Sequence, residues 1–388
     1  MKRSVVIVFF ALMLVGVECT SLPGIAELHS WLRLDPNVSV EALETRLEGF
    51  DDNNVWQSTD SNGNTLVHSA CFNPAMPVDV VAFLVDGYPD AISRTNSPDD
   101  LTPMQAAIRT GKSTKDDVAF YLLFKFPSLA EVVSSRYGTL LHFCCNSPCT
   151  PKLAEHIIEL YPNALSMSDR HSNLPLLSAA RRMPLETVQL MAEIYPSALR
   201  FENRNSVTLL QGMTLWDHSN LSCRTVQVAA FLIEEYPEAL SNPSWRGWIP
   251  LNNALQSLKP IHLEPRAEDV TEGAAVEAFV DLIRLLVNHY PVPLFRGYSG
   301  TSQDDTGMTP LHLAVDRQVP LEAIRVLIDA APMALRLKDA RNRTPLELGI
   351  AKGVSQDIEQ LLSNRSEWLD TTFGGNQRCN ATGVVGEE

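Results

Sequence analysis

The amino-acid sequence predicts an all-α fold, a helical solenoid in which one two-helix unit repeats along the chain. An aromatic residue followed by proline recurs, and an apolar stripe of helical period precedes several of these pairs. The length of 388 residues exceeds one ordinary domain core. It suits a repeat array, because such an array grows without enlarging a single core. Two separate domains are the alternative for a chain of this length.

The aromatic-proline pair predicts where the second helix of each repeat ends, because the residue before a proline is disfavoured in helical conformation. The prolines stand 34 to 54 residues apart, and most are followed by x-Ala-Leu or a close variant. A seventh copy, Ala331-Pro332, lacks the aromatic residue. The six complete pairs are Tyr88-Pro89, Phe126-Pro127, Tyr161-Pro162, Tyr195-Pro196, Tyr236-Pro237 and Tyr290-Pro291.

The stretch that begins at Thr309 shows the predicted unit most clearly. Thr309 is a good helix N-cap and Pro310 a good first helical residue, so a short helix is expected over 311–315. A second, amphipathic helix is expected after Pro320, because apolar residues then recur at spacings of three and four. Each repeat is therefore predicted to contain two antiparallel helices and a connecting loop, in about 34–38 residues.

Residues 307–314 read Gly-Met-Thr-Pro-Leu-His-Leu-Ala, which matches the G-x-TPLH-x-A signature in full. The chain thus resembles the ankyrin-repeat family over roughly residues 60–365. The other copies of the motif are weaker, and two repeats, near Thr208 and Ile249, are recognisable mainly by their spacing. The resemblance implies that each motif histidine hydrogen-bonds the neighbouring loop and joins adjacent repeats. The predicted structural motif residues are Thr65, His68, Thr102, Pro103, Thr139, His142, Thr309, Pro310, His312, Thr344 and Pro345.

The boundaries of the array follow from the same register. Residues 20–61 are expected to form an N-terminal helical cap, since a terminal repeat needs a polar outer face. Residues 62–365 hold about seven repeats and a C-terminal cap, with insertions at 259–275 and 297–307 that are expected to form loops. Residues 366–388 are expected to be a disordered tail.

Residues 1–19 are predicted to be a secretory signal peptide. A basic pair, Lys2 and Arg3, precedes an uncharged apolar run over 5–17, and small residues fit cleavage after Cys19. The run is shorter than the roughly 20 residues of a membrane-spanning helix, so no membrane insertion of the mature chain is expected. A plastid route is one alternative, because the Tyr-Pro-x-Ala-Leu ending resembles repeats abundant in some microalgae. A cytoplasmic location is another, if the N-terminus is no signal.

The net charge of −15 bears on the class of partner. An acidic surface repels phosphate backbones, and no Lys/Arg-rich run offsets the charge, so we expect no nucleic-acid binding. Anionic membrane surfaces are disfavoured for the same reason.

The cysteines near His142 are the strongest candidate for metal chemistry, since thiolate and imidazole are the usual ligands of zinc. However, Cys144 and Cys145 align with small core positions, which free cysteine fills well, so no metal ligand is predicted. A disulfide from Cys149 to a neighbouring cysteine is the more plausible arrangement. The pairing stays open among Cys71, Cys144, Cys145, Cys149, Cys223 and Cys379.

The sequence therefore predicts a protein-interaction module of scaffold or adaptor type, without catalytic residues or cofactors, since common catalytic and nucleotide-binding motifs are missing. The alternative is a regulatory or inhibitory repeat protein with a ligand or metal site near Cys144–Cys149. A third is an enzyme with a pocket in repeats five and six. Trp216, Trp245 and Trp248 cluster there, as candidate partner-binding residues or as filling of an irregular core.

Overall fold

A computed structural model describes residues 23–48, 50, 55–97, 99–110, 116–214, 221–244, 247–257, 272–291, 294 and 307–373. It divides into two compact units, the first ending at Tyr161 and the second beginning at Pro162. Within the described ranges, eighteen α-helices stand beside short 3-10 helices and one two-stranded hairpin. The predicted all-α fold class is confirmed. The predicted signal peptide, residues 1–19, lies outside the described residues.

The first unit begins with two helices whose apolar side chains, including Leu28, Leu32 and Leu43, are buried. Three helix pairs follow, and before the third pair β1 (Val133–Ser134) lies antiparallel to β2 (Gly138–Thr139). The helices are α1 (Pro23–Leu34), α2 (Val40–Leu47), α3 (Leu66–Cys71), α4 (Val78–Gly87), α5 (Pro103–Thr110), α6 (Asp117–Lys125), α7 (Leu140–Asn146) and α8 (Pro151–Leu160).

The second unit consists of five helix pairs within its described residues. Each second helix buries an apolar stripe against its neighbours, as Ile324, Leu327 and Ile328 illustrate. The helices are α9 (Pro175–Arg182), α10 (Leu185–Ile194), α11 (Leu209–Thr214), α12 (Cys223–Glu235), α13 (Pro250–Ser257), α14 (Glu272–His289), α15 (Pro310–Asp316), α16 (Leu321–Ala330), α17 (Pro345–Lys352) and α18 (Gln356–Phe373).

Two predicted boundaries need correction. The expected insertion at 259–275 ends earlier, because residues 272–275 form the first turn of α14; residues 259–271 and 297–306 lie outside the described part of the chain. The expected tail from 366 to 388 begins too early, because α18 continues to Phe373. Leu362 and Leu369, seven residues apart on one helix face, are both fully buried, so the apolar stripe extends past residue 366.

The aromatic-proline pair ends the second helix as predicted. Helix α4 stops before Tyr88, which has φ −146° and ψ 81° and still donates its N–H to the Leu84 carbonyl at 3.1 Å. Pro89 then opens a 3-10 helix, which turns the chain, and Ala91 two residues on is fully buried. The equivalent 3-10 helices are Pro127–Glu131, Pro162–Ser166, Pro196–Arg200, Pro237–Leu240 and Pro332–Arg336.

Candidate functional site

A reciprocal pair of hydrogen bonds starts the first helix of several repeats. In α15, Thr309 Oγ1 accepts the His312 N–H at 3.4 Å, and His312 Nδ1 accepts the Thr309 N–H at 3.3 Å. The pair satisfies donors that a helix N-terminus otherwise leaves unpaired. Pro310, at the first helical position, lacks the N–H that would be orphaned there. The same reciprocal pair, known as a capping box, forms between Thr65 and His68, between Thr139 and His142, and between Thr344 and Glu347. In the last of these, Pro345 occupies the first helical position.

The other ring nitrogen of the motif histidine reaches the next repeat. His312 Nε2 lies 2.9 Å from the Arg343 carbonyl oxygen, and His68 Nε2 lies 2.9 Å from the Leu101 carbonyl oxygen. Because Nδ1 accepts a hydrogen bond, Nε2 must carry the proton of a neutral ring. Burial lowers the pKa of both His68 and His312, which favours that neutral form. Each of these two rings therefore links its own helix to the following repeat.

Two repeats use glutamine in place of this histidine. Gln105 Oε1 accepts the Thr102 N–H at 2.9 Å, ahead of Pro103 at the start of α5. Gln211 Oε1 accepts the Thr208 N–H at 3.0 Å, and its Nε2 donates to the carbonyls of Asn242 and Trp248. A carboxamide offers the acceptor and donor that a neutral imidazole offers. Neither glutamine was predicted from the sequence, although the Thr-x-x-Gln spacing of a capping box is a signal for them.

In four repeats the loop before the first helix is held by one Asp or Asn side chain. Asp169 Oδ1 accepts the N–H groups of His171 and Asn173, both at 2.8 Å. Asn203 Oδ1 accepts the corresponding groups of Asn205 and Val207 at 2.9 and 3.1 Å. Such Asx turns fix the loop backbone. Asp60 and Asp339 hold the loops of two other repeats with the same bonds.

Neighbouring loops are also joined to each other within each unit. In the second unit Asn203 Nδ2 donates to Asn173 Oδ1 at 3.0 Å, and in the first Asn96 Nδ2 donates to Asn64 Oδ1 at 2.8 Å. The backbone is thus fixed, while the two residues after Asp60, Asp169, Asn203 and Asp339 are exposed, and no two of these four pairs are the same. We call them the loop-tip residues: Ser61, Asn62, Arg170, His171, Arg204, Asn205, Ala340 and Arg341.

A charged cleft of about 220 Å³ opens between the loop of the last helix pair and the first helices on either side of it. Asp339 pairs with Arg343 at 2.7 Å, and Asp316 pairs with Lys352 at 2.8 Å. Burial opposes ionisation of Asp339, but hydrogen bonds from Arg343 outweigh it and lower the pKa of that carboxyl. The residues that line the cleft are Met308, Asp316, Asp339, Arg341, Arg343 and Lys352.

The cysteines around the turn between α7 and α8 confirm the predicted disulfide from Cys149 to a neighbouring cysteine and correct the interpretation of Cys144 as a free core residue. Cys144 is disulfide-bonded to Cys149, with the Cα atoms 5.5 Å apart, rather than being a free core cysteine. Cys71 and Cys145, at the same position of two repeats, are buried thiols, and burial raises the pKa of each to about 12. In the described part of the chain, no group of His, Cys, Asp and Glu side chains is arranged to hold a metal ion.

The candidate tryptophans are only partly placed. Trp216 and Trp245 lie outside the described residues. Trp248 is half-buried, and its carbonyl accepts hydrogen bonds from Gln211 Nε2 at 3.1 Å and from the Ser244 N–H at 2.9 Å. Its backbone therefore serves to join two repeats.

The recurring helix pairs and their linked loops define a helical repeat protein. Residues 299–348 match the family model for ankyrin repeats in many copies, which supports the predicted resemblance to the ankyrin-repeat family. No curated protein sequence matches it. A solved structure similar to it is the crystal structure of the human ASB11 ankyrin repeat domain. The TM-score is 0.46 and the identity 16%, over 68% of this chain and 98% of that chain.

Proposed function

We propose that this chain is a non-catalytic scaffold or adaptor that binds a protein partner through its loop tips and first helices. The observation that carries the proposal is the contrast between a fixed loop backbone and exposed loop-tip pairs of which no two are the same. Binding residues are commonly held on loops that a rigid scaffold positions. The presence of ankyrin repeats, which indicate protein interaction, supports the same conclusion.

Affinity capture from the native source tests this proposal. The full chain is compared with a variant in which all loop-tip residues are replaced by serine or glycine. A matched control carries the same kind of change at exposed second-helix residues, such as Glu193→Ser and Arg325→Ser. The proposal expects a partner that the native chain and the control both retain and the loop-tip variant loses. A partner set that is the same for all three chains contradicts it.

We also propose that residues 1–19 direct the chain into the secretory pathway, with cleavage after Cys19. The Cys144–Cys149 disulfide supports an oxidising compartment, since disulfides persist along that route. None of the described helices is both long and apolar enough to cross a membrane. N-terminal sequencing of the protein recovered from its native cells tests the route. A start at Thr20 in secretory fractions supports it, whereas an intact Met1 in the cytosol, or a plastid location, overturns it.

A further inference from the structure

Charge is segregated between the two sides of the helix pairs that span residues 169–235. The side formed by the loops and first helices carries three exposed arginines, Arg170 and Arg204 at the loop tips and Arg182 at the end of α9. We call these three residues the arginine surface. The whole chain has a net charge of −15, so this surface is a local exception to the overall sign.

The second helices of the same pairs carry the opposite charge. The charged residues of α10 are Glu186 and Glu193, and α12 ends with Glu234 and Glu235, all four of them exposed. The one basic residue of α12, Arg224, turns away from these carboxylates and donates to the carbonyls of Arg181 and Met183. The guanidinium of Arg224 is therefore placed at the end of α9, where it adds to the positive side.

The positive groups at this end of α9 repel each other. Burial, and after it the charge of Arg182, lower the pKa of Arg181 to about 10. Burial and then Arg182 also lower the pKa of Arg224. A lowered pKa means that the environment disfavours the cation, so an incoming anion would stabilise it.

The carboxylates on this side offset little of that charge. Asp169 attracts Arg181, but its Oδ1 already accepts the two backbone N–H groups that hold its own loop. Glu202, ahead of the second loop, is exposed. Arg170 and Arg204 stand at matching positions of two loops that the Asn203–Asn173 hydrogen bond holds together, so their backbones are fixed side by side.

We propose that the arginine surface binds a carboxylate-rich segment of a protein partner, a refinement that rests on the proposed function. Helix α9 is eight residues long, or about 12 Å, a length that about four residues of an extended acidic segment cover. Guanidinium groups suit this ligand, because they form paired hydrogen bonds with carboxylates. A nucleic acid is disfavoured, since the net charge of −15 repels a long polyanion.

Fluorescence anisotropy on the full chain tests the proposal. The probes are a labelled peptide of about 12 residues rich in Glu, its Gln counterpart, and a single-stranded DNA of similar length. The test variant is the triple change R170A, R182A and R204A. The matched control, R284A, R325A and R365A, removes the same charge from α14, α16 and α18, where each arginine is half-exposed and ion-paired. Circular dichroism checks that both variants are folded.

The expected result is that the Glu peptide binds, with an affinity that falls as salt rises, and that the Gln peptide binds at least about tenfold more weakly. The triple variant should weaken binding by about tenfold or more, and the control variant by less than about twofold. Equal losses in both variants, no binding of the Glu peptide, or DNA binding as tight as peptide binding would each overturn the proposal. If the captured partner still depends on the loop tips in those cases, the proposed function stands without this refinement.

Discussion

The Nε2 atom of His312 lies 2.9 Å from the carbonyl oxygen of Arg343, which is 31 residues further along the chain. His68 makes the same contact with Leu101, 33 residues away. One imidazole thus accepts the N–H group at the start of its own helix through Nδ1 and hydrogen-bonds a carbonyl of the next loop through Nε2. Adjacent repeats are joined by a polar contact in addition to their apolar helix faces.

His312→Ala should destabilise the second unit by about 2–3 kcal/mol, because it leaves the Thr309 N–H and the Arg343 carbonyl without their partner. His312→Gln should recover much of that loss, since Gln211 fills the equivalent role elsewhere in the chain. Urea unfolding followed by circular dichroism measures both variants. His171→Ala, at an exposed loop tip, is the control and should leave the midpoint unchanged. Equal midpoints for the His312→Ala variant and the native chain would contradict this role.

The free energy of unfolding should fall as the pH is lowered from 6.5 to 4, because of His29. This residue is buried in α1, and its Nδ1 lies 2.7 Å from Ser69 Oγ of α3. Burial lowers its pKa to about 4, while the unfolded chain takes up a proton near 6.5. The unfolded state therefore binds more protons in this window, and roughly 3 kcal/mol of stability is lost as the pH falls through it. Urea midpoints at several pH values measure the effect, and His29→Gln should make the curve less steep, the remaining slope coming in part from His68 and His312, whose pKa values burial also lowers. A native curve as flat as that of the variant would show that His29 is not the cause.

Alkylation of the native chain should distinguish its cysteines. Cys223 is exposed and should react first. Cys71 and Cys145 should react only after unfolding, because both are buried and burial raises the pKa of each to about 12. Mass spectrometry without reduction should also recover Cys144 and Cys149 as a linked pair. Rapid labelling of Cys145 in the folded chain would contradict the arrangement.

Truncation should locate the end of the folded region. A chain that ends after residue 365 loses Leu369, which is fully buried in α18, and should be destabilised by about 2–4 kcal/mol. A chain that ends after Phe373 keeps this contact and should unfold at the native midpoint. Thermal unfolding of the two truncated chains gives the comparison. Equal melting temperatures would restore residue 366 as the start of the tail.

The fold was predictable where one local signal sets the geometry. Proline after an aromatic residue forces a helix end, and the spacing of Thr309 and His312 defines a capping box. The glutamine copies were missed because the family motif names histidine, whereas the chemistry requires only one acceptor and one donor. The pairing of Cys144 with Cys149 depends on distances in space, which spacing along the chain does not give.

The segregation of charge could not be predicted from the sequence alone. Net charge describes the whole chain, and the arginine surface becomes visible only once the residues are assigned to loops, first helices and second helices. Arg224 illustrates this, since it belongs to a second helix by sequence but lies with the first helix through its hydrogen bonds.

Cross-linking mass spectrometry of the captured complex tests the central claim, partner binding through loops and first helices, most directly. The lysines of the chain allow the two sides of the repeats to be compared. Lys338 lies in a loop and Lys352 at the end of a first helix, whereas Lys125 and Lys152 lie on second helices. We expect amine-reactive cross-links to the partner at Lys338 and Lys352. Cross-links that cluster instead at Lys125 and Lys152 would contradict the claim.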